Sequence, residues 1–281
     1  MTAKLEQPKQ ETVAEFERVT LRFGDKVALR AISFGLERGE TKVVLGAAGS
    51  GKSVLLKLTM GLLQADEGRI TVLGQEITHK SEEDLYELRR QIGMVFQEGA
   101  LFDSQTVGEN VGYVFERMPA VSAEEAERRV REALQFVELE HTYDQFPSQL
   151  SGGMRRRVAI ARAVVGQPEL MLYDSPTAGL DPITATRIMA LVVRQRDARQ
   201  VSSLLVTHRV QDAVLMARSY YNALQEKLVV VHDGGTLEET PKGWSFSRTR
   251  FLVLREGETA FHGSLEELCE QRDPYLQKFM V

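Results

Sequence analysis

The 281-residue chain is long enough for one large domain or two modest ones. Hydrophobic residues make up 43% and charged residues 27%, a balance ordinary for a soluble globular protein. The net charge of −5 gives no electrostatic reason to expect a nucleic-acid partner, and Cys269, the only cysteine, excludes an internal disulfide and fits a reducing cytoplasm. Residues 1–14 are polar and read as a disordered tail. The opening MTAKLEQPKQETVAEFE lacks the apolar core of a secretory signal, and no apolar run is long enough to span a bilayer. Contact with a membrane is therefore expected only through a partner.

In chain order, FERVTLRF (16–23) and VALRAISFGLERG (27–39) alternate apolar and polar residues, which predicts antiparallel strands with one exposed face. TKVVLG (41–46), PELMLYD (168–174) and SSLLVTH (202–208) are continuous apolar runs, the pattern of strands buried on both faces. Helical patterns lie between them at 53–63 and 154–166, so the core reads as α/β with a parallel sheet. Residues 98–150 read as an inserted helical subdomain. Within it, a helix over 122–139 opens with a capping box of Ser122 and Glu125, and Ala126, Val130, Ala133, Leu134 and Val137 share one face. Residues 219–249, with turns at HDGG and PKG and the sole tryptophan, Trp244, read as an extra surface hairpin or, alternatively, a partner contact.

GAAGSGKS (46–53) matches the G-x-x-x-x-G-K-[ST] phosphate loop, and it lies between a buried strand and a helix, where that pattern carries meaning. Its glycines let backbone N–H groups approach phosphate oxygens, and the helix N-terminus adds its dipole. Lys52 would bridge the β- and γ-phosphates and the Ser53 hydroxyl would bind Mg²⁺. Asp174 closes the second buried strand, where a carboxylate can hold the same ion. His208 closes the third, at the strand ends where ligands gather, which favours a role at the γ-phosphate. Ser151, Gly152 and Gly153 open the helix of LSGGMRRRVAIARA and make a second anion-binding end. Arg155, Arg156 and Arg157 cannot share one helical face and read as a solvated, partly subunit-facing surface.

LSGGM (150–154) resembles the signature sequence of the ATP-binding-cassette (ABC) ATPases, usually LSGGQ. The resemblance implies a P-loop NTPase core with a parallel sheet, an antiparallel β subdomain and an inserted α-helical subdomain. One domain would span 15–281, with the helical subdomain at 98–150, the β-rich insertion at 219–249 and a C-terminal hairpin and helix at 250–281. By the same resemblance Phe23 stacks on adenine, and Gly46, Ala47, Ala48, Gly49, Ser50, Gly51, Lys52, Ser53 and Val54 hold the nucleotide. Gln97 senses the metal and the attacking water. The signature residues Ser151, Gly152 and Gly153, with Asp181, face the ATP of a second subunit. ATP and Mg²⁺ are the implied cofactors, with Ser53, Gln97 and Asp174 as metal ligands. The implied partners are a second cassette, most simply a copy of this chain, and an integral-membrane permease, with no nucleic acid.

FQEGALFDSQTVGENVGY (96–113), SGGMRRRVAIARA and GLDPITA look like the ATPases of Mce- and Mla-type lipid transport systems, as does DPYLQKFM (273–280). By that resemblance residues 98–115 receive the permease, with Leu101, Phe102, Val107, Val111 and Tyr113 as apolar surface. The alternative is that these side chains are core. A soluble cassette protein acting on ribosomes or DNA fits less well, because the chain has one cassette, no heptad arm and no basic excess.

The family normally has glutamate after the strand-end aspartate, and here Ser175 stands there. A hydroxyl cannot act as that base near neutral pH, although it can hydrogen-bond a water. Three readings stay open: slowed hydrolysis carried by Lys52, Mg²⁺, Gln97 and His208; an ATP-gated cassette that scarcely turns over; or an engineered trap of the ATP state. The first is preferred, because every other motif is intact.

Overall fold

The computed structural model describes residues 11–118, 120–225, 227–231 and 248–279. The turns expected at 232–235 and 241–243, and Trp244, lie outside the described residues. The chain opens with the antiparallel hairpin β1 (Thr12–Phe23) and β2 (Lys26–Glu37), followed by β3 (Thr41–Gly46) and α1 (Lys52–Thr59). Next come β4 (Glu67–Val72), β5 (Gln75–Glu76), α2 (Tyr86–Arg90) and β6 (Ile92–Val95). Helices α3 (Val107–Gly112), α4 (Ala123–Phe136) and α5 (Gly152–Val164) precede β7 (Leu170–Asp174). Then follow α6 (Pro182–Arg199), β8 (Ser202–Val206), α7 (Val210–Arg218) and the hairpin β9 (Ser219–Asn222) and β10 (Lys227–Val230). The chain closes with β11 (Thr249–Arg255), β12 (Glu258–Gly263), α8 (Leu265–Cys269) and α9 (Pro274–Gln277).

Two larger sheets result. One has the order β2-β1-β4-β5 and is antiparallel; the other has the order β12-β11-β3-β8-β7-β6 and is parallel except at β12. The parallel strands alternate between two cores. Val43, Leu45, Met171, Tyr173 and Leu205 face the helices, with α3, α4, α5 and α6 packed on them. Val44, Leu170, Leu172, Leu204 and Val206 face the antiparallel sheet and α1. Burial on both faces explains why these strands read as unbroken apolar runs.

The structure corrects several expectations. β1 begins at Thr12, with Val13 and Ala14 buried, so the tail expected over 1–14 ends earlier. The helix expected over 53–63 stops at Thr59, because Gly61 turns left-handed (φ +64°) against Leu85. Ser122 caps α4 by accepting from Glu125 N–H, but the return half of the box is missing, since the Glu125 carboxylate pairs with Arg128 and Arg129. β7 starts at Leu170 and β8 ends at Val206, which leaves His208 two residues past its strand.

The topology sets the functional edge. β3, β6, β7, β8 and β11 run the same way, with Leu254 beside Gly46 and Asp174 beside Val206 in register. Gly46, Gln97, Asp174 and His208 therefore leave the sheet at one edge, the carboxyl ends of its parallel strands, where α/β folds bind ligands.

Candidate functional site

The loop from Gly46 to Gly51 is shaped by three left-handed glycines, Gly46 (φ +149°), Gly49 (φ +76°) and Gly51 (φ +100°). A Cβ at Gly46 would lie 2.5 Å from Leu254 O, and one at Gly51 would lie 2.5 Å from Leu29 Cδ2 and 2.7 Å from Ala28 O. The loop is thus pressed between β11 and β2. Ser50 N–H bonds Ala47 O at 3.2 Å and Val54 N–H bonds Gly51 O at 3.0 Å. The N–H groups of Gly49, Gly51, Lys52 and Ser53 meet no acceptor among the described residues, and they sit at the N-terminus of α1. Lys52 Nζ folds back over the loop to Gly46 O (2.9 Å) and Ala47 O (2.8 Å). Burial pushes its pKa down, and the Asp174 carboxylate pulls it back up. Unpaired donors, a helix N-terminus and a cation are the chemistry that a polyphosphate needs. Ser53, Asp174 and Gln97 add hydroxyl, carboxylate and amide oxygens, hard donors of the kind Mg²⁺ accepts while keeping several waters.

Ser175 follows Asp174 in a left-handed conformation (φ +48°) and is 7% exposed. Its N–H bonds Val206 O at 2.8 Å, which joins the ends of β7 and β8. Beneath it the buried Asp212 accepts hydrogen bonds from Thr177 and from Thr207 (3.0 Å) and pairs with Arg209 at 3.7 Å. Burial raises the Asp212 pKa against those hydrogen bonds. This cluster ties the turn after Ser175 to the segment that carries the exposed His208. Nothing in the sequence reading pointed to it.

Of the three arginines expected on a solvated, partly subunit-facing surface, Arg155 is exposed, Arg157 is half-buried and Arg156 departs from the expectation by being buried. Arg155 is exposed, yet its Nη1 reaches Leu150 O at 2.7 Å. Arg156 is 8% exposed and donates to Phe96 O (2.9 Å) and Ala178 O (3.4 Å), and Arg157 reaches Val137 O at 2.9 Å. Arg162 grips Gly99 O and Ala100 O, both at 2.7 Å. Arg156 and Arg162 therefore hold the backbone on either side of the exposed Gln97. Loop carbonyls are what these side chains bond, and Phe96 O also accepts from Gly99 N–H at 2.9 Å.

Ser151 caps α5 by accepting from Met154 N–H at 3.3 Å, and Asp181 caps α6 by accepting from Ile183 and Thr184 N–H at 3.0 Å. A Cβ at Gly153 would lie 2.7 Å from Thr184 Cγ2, so the two helix starts meet closely. Ser151, Gly152 and Asp181 are exposed, and no hydrogen bond among the described residues joins them to the phosphate loop. Phe23 is 52% exposed at the end of β1, on the sheet whose β2 braces Gly51.

Of the apolar residues expected between 98 and 115, Val107 and Val111 are fully buried core, whereas Phe102 is exposed and Leu101 and Tyr113 are half-buried. Asn110 holds the loop before α3, accepting from Phe102 N–H (2.8 Å) and donating to Phe102 O, Gln105 O and Thr106 O. A cavity of about 430 Å³ opens here, lined in part by Phe96, Ala100, Phe102, Tyr113, Val114 and Arg162.

The sequence profile of the ABC transporter family matches residues 29–178. The chain is 34% identical to protein TRIGALACTOSYLDIACYLGLYCEROL 3, chloroplastic, of Arabidopsis thaliana, over 96% of this chain and 73% of that protein. It is 32% identical to the intermembrane phospholipid transport system ATP-binding protein MlaF of Haemophilus influenzae, over 86% of this chain and 90% of MlaF. It is 36% identical to the methionine import ATP-binding protein MetN of Rhizobium johnstonii, over 84% of this chain and 62% of MetN. A dimeric ATP-binding cassette in a post-hydrolysis state with ADP and Pi superposes with a TM-score of 0.72 at 28% identity, over 90% of this chain and 98% of that one. CbiO1 of Clostridium perfringens, part of the transporter complex cbiONQ, superposes with a TM-score of 0.75 at 27% identity, over 94% and 93%.

Proposed function

Because the chain belongs to the ABC transporter family of ATPases, which bind ATP with Mg²⁺ and hydrolyse it, we propose that it drives a membrane permease moving phospholipid or another lipid. The observation that carries the nucleotide assignment is the loop 46–53: free N–H groups at the start of α1, covered by the Lys52 ammonium next to Asp174. Gly46 through Val54 cradle the phosphates and Phe23 stacks on adenine. Ser53, Gln97 and Asp174 hold Mg²⁺, which when bound neutralises phosphate charge. Lys52 and His208 stabilise the γ-phosphate, and Gln97 orients water. Phosphoryl transfer depends mostly on such positioning and electrostatics.

The exposed Ser151, Gly152 and Asp181 serve the nucleotide of a second copy, giving a head-to-tail homodimer. The cavity beside Phe102 and Tyr113 receives a permease helix, and this contact holds the protein at the inner face of the membrane. Among the described residues no helix is long and apolar enough to cross a membrane itself. The lipid assignment draws support from the likeness to MlaF along 90% of its length and from the wording of residues 96–113. The likeness to MetN makes methionine-type import the competing substrate class.

Ser175 favours a second reading, an ATP-gated cassette with little turnover, because its buried hydroxyl stands where a carboxylate would polarise water. Sedimentation with Mg²⁺ and ATP tests the dimer: the protein should dimerise and Lys52→Ala should not. Mass spectrometry of a permease copurified from membranes tests the cargo: bound phospholipid is expected, and a methionine-type permease with no lipid would contradict the assignment.

A further inference from the structure

The last helix reaches back to the phosphate loop. Tyr275 Oη accepts from Ala47 N–H at 3.1 Å and donates to Leu254 O at 2.6 Å. That carbonyl is the one a Cβ at Gly46 would strike at 2.5 Å. At Gly46, then, the strand approaches the loop so closely that only glycine fits, and one residue later a tyrosine hydroxyl bridges the two. The ring has little freedom. Arg255 lies over its face at 5.2 Å and Phe279 meets it edge-on at 5.4 Å. Asp273 accepts from Tyr275 N–H at 2.7 Å and lies 3.8 Å from Arg255. The hydroxyl is thus aimed by packing, a helix cap and an ion pair together.

We propose that Tyr275 is a positioning residue of the nucleotide site, and that through Ala47 the segment Asp273–Phe279 sets the affinity for ATP. The inference rests on the reading of residues 46–54 as the ATP phosphate loop. A loop whose entry is held in place loses less freedom when phosphate binds, so preorganisation appears as affinity. One neutral hydrogen bond is worth about a 3- to 10-fold change in an equilibrium constant. Anything that draws α9 away from the loop then lowers ATP affinity from outside the site.

Tyr275→Phe keeps the ring and removes only the bridge, so it separates latching from packing. Hydrogen–deuterium exchange over residues 46–53 of the nucleotide-free full chain reads the loop itself. Titration with a fluorescent ATP analogue and Mg²⁺ reads affinity, with Lys52→Ala as the blank. The proposal expects faster exchange in Tyr275→Phe and a Kd raised about 3- to 10-fold, with the thermal midpoint little changed. Unchanged exchange, or faster exchange with unchanged Kd, overturns it. Natural protein that fails to bind the analogue overturns the nucleotide reading instead, and the exchange difference still decides whether the latch exists.

Discussion

Arg156 Nη1 donates to the carbonyl oxygen of Phe96 at 2.9 Å, tying the middle of α5 to the residue before Gln97. Its Nη2 reaches Ala178 O at 3.4 Å, on the turn that follows Ser175. Burial, opposed by Glu98, disfavours the charge, so the carbonyls are what keep this guanidinium in place. Arg156→Met should lower the unfolding free energy by about 2 kcal/mol, the range for hydrogen bonds to a charged group. Arg156→Lys should recover only part, because an ammonium cannot span both carbonyls as a planar fork does. Urea unfolding of the three proteins checks this, and a loss in Arg156→Met below about 0.5 kcal/mol would contradict it.

Gly51 and Gly49 both adopt positive φ but differ in their surroundings. A Cβ at Gly51 would overlap Leu29 and Ala28 O, whereas nothing lies within 4 Å of one at Gly49. Gly49→Ala should cost only the left-handed strain, about 1–2 kcal/mol. Gly51→Ala must also push the loop off β2, so it should abolish ATP binding while Gly49→Ala keeps a stably folded protein. Thermal midpoints and nucleotide titrations of the two variants, measured side by side, check the contrast.

A buried charge sits at the opposite end of β3. Lys42, 2% exposed, pairs with Glu40 at 2.6 Å and contacts His262 Nε2 at 2.9 Å. Burial pushes the Lys42 pKa down and Glu40 pulls it back up; where the ammonium donates to Nε2, the imidazole is neutral with its proton on Nδ1. Burial first, then Lys42 and Arg250, push the His262 pKa down from 6.5 to about 4, with Glu267 opposing. A depressed folded-state pKa supplies stability above the unfolded value that is lost as pH falls. Between pH 6.5 and 4 the natural protein should therefore lose more thermal stability than His262→Gln. Parallel melting curves across that window would refute the coupling.

Three strands of the parallel sheet, β3, β7 and β8, were legible because burial on both faces forces continuous apolar runs, as in TKVVLG and LMLYD, whereas the four-residue β6 was not singled out. The phosphate loop was legible because the conformations of Gly46, Gly49 and Gly51 admit few other residues. Arg156 was not. Helical geometry separates three consecutive arginines by direction, but it cannot say that Phe96 O lies within reach of one of them across the fold. Tyr275 was illegible for the same reason, since 228 residues separate it from Ala47. Val107 and Val111 could be read as docking surface or as core and are core, because an apolar pattern does not name what covers it.

On the proposed function, ATP is hydrolysed slowly with a serine at position 175. ATP turnover of the purified protein, measured beside Ser175→Glu and with Lys52→Ala as the blank, decides the matter. Slow turnover above the blank is expected, with a further rise in Ser175→Glu within the roughly hundred- to ten-thousand-fold typical of general-base assistance. Turnover equal to the blank in the natural protein, together with an active Ser175→Glu, would contradict it and leave an ATP-gated cassette.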